Sequence, residues 1–129
     1  ELHPLSRRQR QMCIRDRASL LRPNQKASDG SSIFLFANCD NLENELTSPG
    51  GNLHHDRKRL TVKMSVDECQ SWPVSRIIEP GPSGYSDLAE AGDGTILCIY
   101  ECGMVDRMTD SRYLTIARFD LAWIRDEIV

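Results

Sequence analysis

From Ala18 onward, apolar and polar positions fall into short runs separated by turn residues. The clearest is "LTVKMS", where Leu60, Val62 and Met64 share one side of an extended chain and Thr61, Lys63 and Ser65 the other, the pattern of a half-buried strand. "SSIFLFAN", "WPVSRIIE", "YSDLAEA", "TILCIYE" and "YLTIARFDLAWI" read as further strands. Pro73 stands early enough in its run to be tolerated at a strand start or edge. The turn "GDG" and the longer polar stretch "CDNLENELTSPGGNLHHDRKR" lie between runs. No segment keeps a helical period, and "DNLENELT" offers at most one short turn. Short strands at intervals of about 8 to 12 residues predict an all-β chain, whether sandwich, barrel or propeller.

Charge divides the chain. Arg7, Arg8, Arg10, Arg15 and Arg17 oppose only Glu1 and Asp16 in the first seventeen residues, while the whole carries −3. A basic arm therefore precedes an acidic body. Such an arm reads as a solvated tail or as a phosphate-neutralising segment. A third reading accounts for its residues one by one: "RRQRQMCIRDR" resembles one frame of a translated transposon-type sequencing adapter. Residues 1–17 are thus expected to be non-native and disordered, and residues 18–129 to be part of a larger domain. No nucleic-acid role is then expected. No apolar run reaches the ~18 residues of a membrane helix.

Outside the arm stand Cys39, Cys69, Cys98 and Cys102, whose spacing matches no paired zinc pattern. Cys98 and Cys102 share one strand, which separates them by ~13 Å and excludes a common metal or disulfide. His54 and His55 adjoin in a polar loop without a partner pattern.

"SVDECQSW", Ser65 to Trp72, chooses among the β architectures. It resembles the Asp box, S-x-D-x-G-x-T-W, of sialidase-like β-propellers. The resemblance implies a structural role: Asp67 accepts backbone N–H groups of a tight turn and Trp72 packs over it. Cys69 replaces the usual glycine and Ser71 the usual threonine. If the turn requires φ > 0 at position 69, a cysteine there costs about 1 kcal/mol.

The wider stretch from "RKRLTVKMS" through "GPSGYSDLAEAGDGTILCIYECG" resembles the C-terminal part of bacterial exo-α-sialidases (neuraminidases). The likeness runs from Ala18 to about Trp123. It implies about two blades of a six-bladed propeller, incomplete here, from a retaining glycosidase that uses tyrosine as nucleophile. Sialic acid bears a carboxylate on its anomeric carbon, so an attacking carboxylate would meet ~4 kcal/mol of repulsion at 4 Å and an effective ε of 20. A phenol avoids this, provided that a nearby base activates it.

By its place in "GPSGYSDL", Tyr85 matches the nucleophile; a tyrosine in a strand is otherwise most often a packing residue. The pattern R-x-x-L-T-V selects Arg57 as one of three arginines that bind the substrate carboxylate, with Arg59 as its competitor. Strand alternation would place Arg57, Arg59 and Thr61 on one face. Glu101 occupies a position where the family tends to carry glutamate, but it is not the tyrosine's base, which lies earlier in the family's chain. The acid/base aspartate, that glutamate and two arginines also precede the region of likeness, so the chain alone is expected to be inactive. Sialylated glycans are the implied partners, and no metal or organic cofactor is implied. The alternative is a non-catalytic Asp-box propeller that binds carbohydrate or protein.

Overall fold

The computed structural model describes residues 18–40, 58–103 and 111–126. The arm of residues 1–17 and the stretch 41–57, with His54, His55 and Arg57, lie outside these. Six strands form one antiparallel meander in the order β1 (Ser19–Leu21), β2 (Phe34–Cys39), β3 (Lys58–Ser65), β4 (Val74–Glu90), β5 (Ile96–Cys102) and β6 (Tyr113–Phe119).

Register follows the apolar alternation. Leu35 sits opposite Met64, Ala37 opposite Val62 and Cys39 opposite Leu60, so one face of β2 and β3 is a continuous apolar surface. In the second half Leu88 faces Cys98, and Ile96 faces Phe119. These two surfaces close on each other as a single core that includes Ile33, Leu35, Val62, Ile96, Cys98 and Tyr100. A second tie is polar: the Asn24 N–H donates to Glu90 at 2.6 Å, and Gln25 Nε2 donates to the Gly94 carbonyl at 2.8 Å. The loop after β1 is thereby fastened to the β4–β5 turn.

Three features depart from the alternation. "PGPSG" does not break the chain into two strands: β4 runs unbroken for 17 residues. It pairs with β3 from Val74 to Pro82 and with β5 from Ser83 to Glu90. The prolines fall where β4 exchanges one partner for another, so their missing N–H groups are tolerated. "YLTIARFDLAWI" is in turn not one strand, because β6 stops at Phe119 and α1 (Leu121–Arg125) follows. Asp120 caps α1 by accepting the Trp123 N–H at 2.7 Å, and Arg76 of β4 stacks over the Trp123 ring at 4.3 Å. Finally, Arg59 adopts φ 59° within a register shift between Lys58 and Leu60. The bulge ends the alternation there: Leu60, Thr61 and Val62 are all buried, so the shared face expected for Arg59 and Thr61 does not hold.

On the outer surface of β5 and β6, Ile99, Leu114 and Ile116 are exposed, Leu114 to 70%. Among the described residues no helix is long and apolar enough to cross a membrane.

Candidate active site

Tyr85 stands just past the point where β4 changes partners. Ser83 pairs with Cys102 and Ser86 with Tyr100, so Gly84 and Tyr85 together oppose the single residue Glu101. This is a β-bulge, a device that re-aims a side chain within a strand. Tyr85 is 50% exposed. Its backbone N–H donates to Glu101 Oε2 at 3.1 Å. The same oxygen lies only 2.6 Å from where a Cβ on Gly84 would be, so the carboxylate occupies the space that the glycine leaves open.

The start of β3 and the end of β2 border this point. Lys58 pairs opposite Pro82, which brings Arg59 to the strand end beside the bulge. Arg59 Nε is buried with no hydrogen-bond partner among the described residues, an arrangement that costs free energy unless an acceptor arrives. The Cys39 thiol reaches the Ser83 hydroxyl at 3.3 Å and donates to the Ser83 carbonyl at 3.5 Å. The three chain segments are thus joined at one end of the sheet. Arg57, the arginine that the motif selects, lies outside the described residues.

The other tyrosines differ from Tyr85. Tyr100 is buried, and desolvation, followed by the charge of Glu79, pushes its phenol above the usual value. Tyr113 is exposed at the end of β6, with the Arg112 guanidinium 5.8 Å from its ring centre. Neither sits in a bulge opposite a carboxylate. Cys98 is buried, and desolvation, followed by the charge of Asp87, pushes its thiol up to about 12, so it is an inert core group. Among the described residues no three His, Cys, Asp or Glu side chains gather as a metal site.

At the opposite end, Ser65 to Trp72 connects β3 to β4. Asp67 Oδ1 accepts the Ser65 hydroxyl at 2.7 Å and the Ser71 N–H at 2.9 Å, while Oδ2 accepts the Ser71 hydroxyl. Ser65 Oγ in turn accepts the Cys69 N–H at 3.0 Å. The Trp72 ring packs against Phe36, their centres 5.6 Å apart. Cys69 has φ 67°, so the condition for strain at this position is met. Cys69→Gly is expected to stabilise the fold by about 0.5 kcal/mol, measured by urea unfolding, because only glycine enters this region without a Cβ penalty.

The bonds from Ser71 and Ser65 hold the Asp67 carboxyl down to about 2. A carboxyl whose folded pKa lies below its unfolded value near 3.8 stabilises the fold above about pH 4 and loses that contribution as pH falls through about 2. Asp67→Ala should therefore lower the urea midpoint near neutral pH, and its curve should converge with the wild type near pH 2.

No family model matches the chain. A sialidase of Micromonospora viridifaciens is 34% identical to it over 110 residues, 83% of this chain and 14% of that protein. This chain is a sialidase homologue. A Hadza microbial sialidase superposes with a TM-score of 0.56 at 28% identity, over 83% of the present chain and 18% of its own. A leech intramolecular trans-sialidase gives a TM-score of 0.61 at 15% identity, covering 86% of this chain and 17% of its own. The corresponding enzyme of Ruminococcus gnavus gives 0.56 at 17%, covering 84% and 22%. At those two identities the likeness concerns fold alone. The sialidase homologue therefore spans a small fraction of the proteins it matches. Its two sheet halves, joined through β4, are parts of a sialidase-type β-propeller, about two blades in extent.

Proposed function

We propose that this chain carries the nucleophile of an exo-α-sialidase that removes terminal sialic acids from glycoconjugates with retention of configuration. The observation that carries the reading is the Gly84–Tyr85 bulge opposite Glu101, which sets a half-exposed phenol beside the point where β4 changes partners, bordered by the basic start of β3. Tyr85 attacks the anomeric carbon as the glycosidic C–O bond breaks; a glutamate supplied from elsewhere in the complete protein takes the phenol proton, and the acid/base aspartate protonates the departing oxygen. Water then displaces the tyrosine to release sialic acid with net retention. Arg57 binds the substrate carboxylate in a bidentate pair, with Arg59 as competitor. Asp67 and Trp72, with Ser65, form an Asp box that braces the far end of the same blade.

The acid/base aspartate and the activating glutamate are not assigned to residues of this chain, which we read as inactive alone. The apolar row Ile99, Leu114 and Ile116 is where an adjoining blade would pack. Residues 1–17 we read as adapter-derived.

The test is to recover the coding DNA across the Arg17–Ala18 junction, express the continuous reading frame and follow sialyllactose hydrolysis by proton NMR. Release of the α-anomer first supports a retaining sialidase. Release of the β-anomer first, or tight sialoside binding without turnover, rejects it, the latter in favour of a carbohydrate-binding propeller. If the DNA encodes "RRQRQMCIRDR" as part of the genomic reading frame, the adapter reading fails.

A further inference from the structure

We infer that Glu101 is the positioning residue of Tyr85, and that Gly84 exists to admit it. The inference rests on the reading of Tyr85 as the nucleophile, but its geometric core stands apart from any turnover. A bulge places one residue too many on its strand and leaves a backbone group without its ladder partner. Here Ser83 and Ser86 keep their partners, Cys102 and Tyr100, so the extra length falls on Gly84 and Tyr85. The N–H of Tyr85 finds a carboxylate oxygen, Glu101 Oε2, at 3.1 Å. A bond to an ionised acceptor is stronger than an ordinary ladder bond.

The approach is possible only because Gly84 has no side chain: a Cβ there would stand 2.6 Å from Oε2 and 3.4 Å from Glu101 Cβ. Glycine admits the carboxylate, the carboxylate holds the tyrosine backbone, and the bulge sets the direction of the ring. Glu101 meets the backbone of Tyr85 in this contact, so it acts on the reaction through placement of the phenol. A nucleophile displaced by about 1 Å can lose roughly a hundredfold in rate.

Amide hydrogen exchange at Tyr85, read by NMR on the full chain, tests this directly. Glu101→Ala is expected to speed exchange of the Tyr85 amide by about tenfold or more, with the amides of Val62 and Cys98 unchanged as a measure of intact folding. Glu101→Gln should stay within about threefold of wild type, since its amide oxygen still accepts. Gly84→Ala should behave like Glu101→Ala, because the methyl displaces the carboxylate. Equal Tyr85 exchange in wild type and Glu101→Ala, with core amides protected, overturns the inference. Should Glu101→Ala lose core protection, the comparison of Glu101→Gln with Glu101→Asp decides. Protection kept by Gln and lost by the shorter Asp supports the clamp, and any other pattern overturns it.

In the continuous enzyme Glu101→Ala should lower kcat with little change in KM, and Glu101→Gln should restore most of the loss. If Tyr85→Phe leaves turnover intact while the exchange pattern holds, the nucleophile reading fails and the clamp stands.

Discussion

Tyr85→Phe in the continuous enzyme is expected to reduce kcat/KM for sialyllactose by about 10³-fold or more, with no change in thermal midpoint. The substitution removes one oxygen from a ring that is half exposed, so it leaves no cavity. The backbone bond from Tyr85 to Glu101 is untouched. A loss of rate is then a loss of chemistry and not of structure. Tyr113→Phe is the matched control, since Tyr113 is also exposed but lies on β6 outside the bulge, and it should leave kcat/KM within about twofold. Wild-type kinetics in Tyr85→Phe would remove the nucleophile assignment, and a comparable loss in Tyr113→Phe would transfer it.

Arg57→Ala is expected to lower kcat/KM for sialosides by about 10²-fold, mainly by raising KM, as removal of a bidentate partner from a bound carboxylate does. Arg59→Ala should cost less than about tenfold if Arg57 is the ligand. The structure makes this comparison informative. Arg59 lies in a bulge at φ 59°, and its buried Nε has no partner among the described residues, so its truncation removes an unsatisfied group without breaking a bond at that atom. Its folded stability should barely change, and titration with sialic acid then reports binding alone. If Arg59→Ala carries the larger loss, the carboxylate ligand is Arg59 and the motif register is displaced by two residues.

Much of this fold is legible in the sequence. Leu60, Val62 and Met64 announced the inner face of β3, and all three are buried. "GDG" announced the β4–β5 turn, where Asp93 accepts the Thr95 N–H. The unread parts share a cause: each depends on a partner distant in sequence. Pro80, Gly81 and Pro82 look like a chain break locally, but they lie where β4 leaves β3 for β5. Thr61 reads as outward, yet the bulge at Arg59 buries it. For α1 a local signal did exist, Asp120 as a cap ahead of Leu121 and Ile124, but the β-rich run before it overrode so short a period. At the site, "GPSGYSDL" carried the resemblance that singled out Tyr85. Nothing local could pair Tyr85 with Glu101, because only the two-against-one register brings them together.

The continuity of β4 has a consequence for how this chain can change length. One strand supplies the last strand of the first sheet half and the first strand of the second, so the registers on its two sides are geared together. An insertion at the exposed tip around Gly92 and Asp93 disturbs the turn and its bond to Gln25 but leaves the strand registers in place. A single residue added or lost at Pro80–Pro82 advances everything beyond it by about 3.3 Å and turns each side chain to the opposite face. Tyr85 would then face the core and Leu88 the solvent. Drift in length is therefore tolerated at the rim of the sheet and forbidden at its hinge, and the spacing from Val74 to Tyr85 works as a fixed ruler that keeps the phenol on the open side.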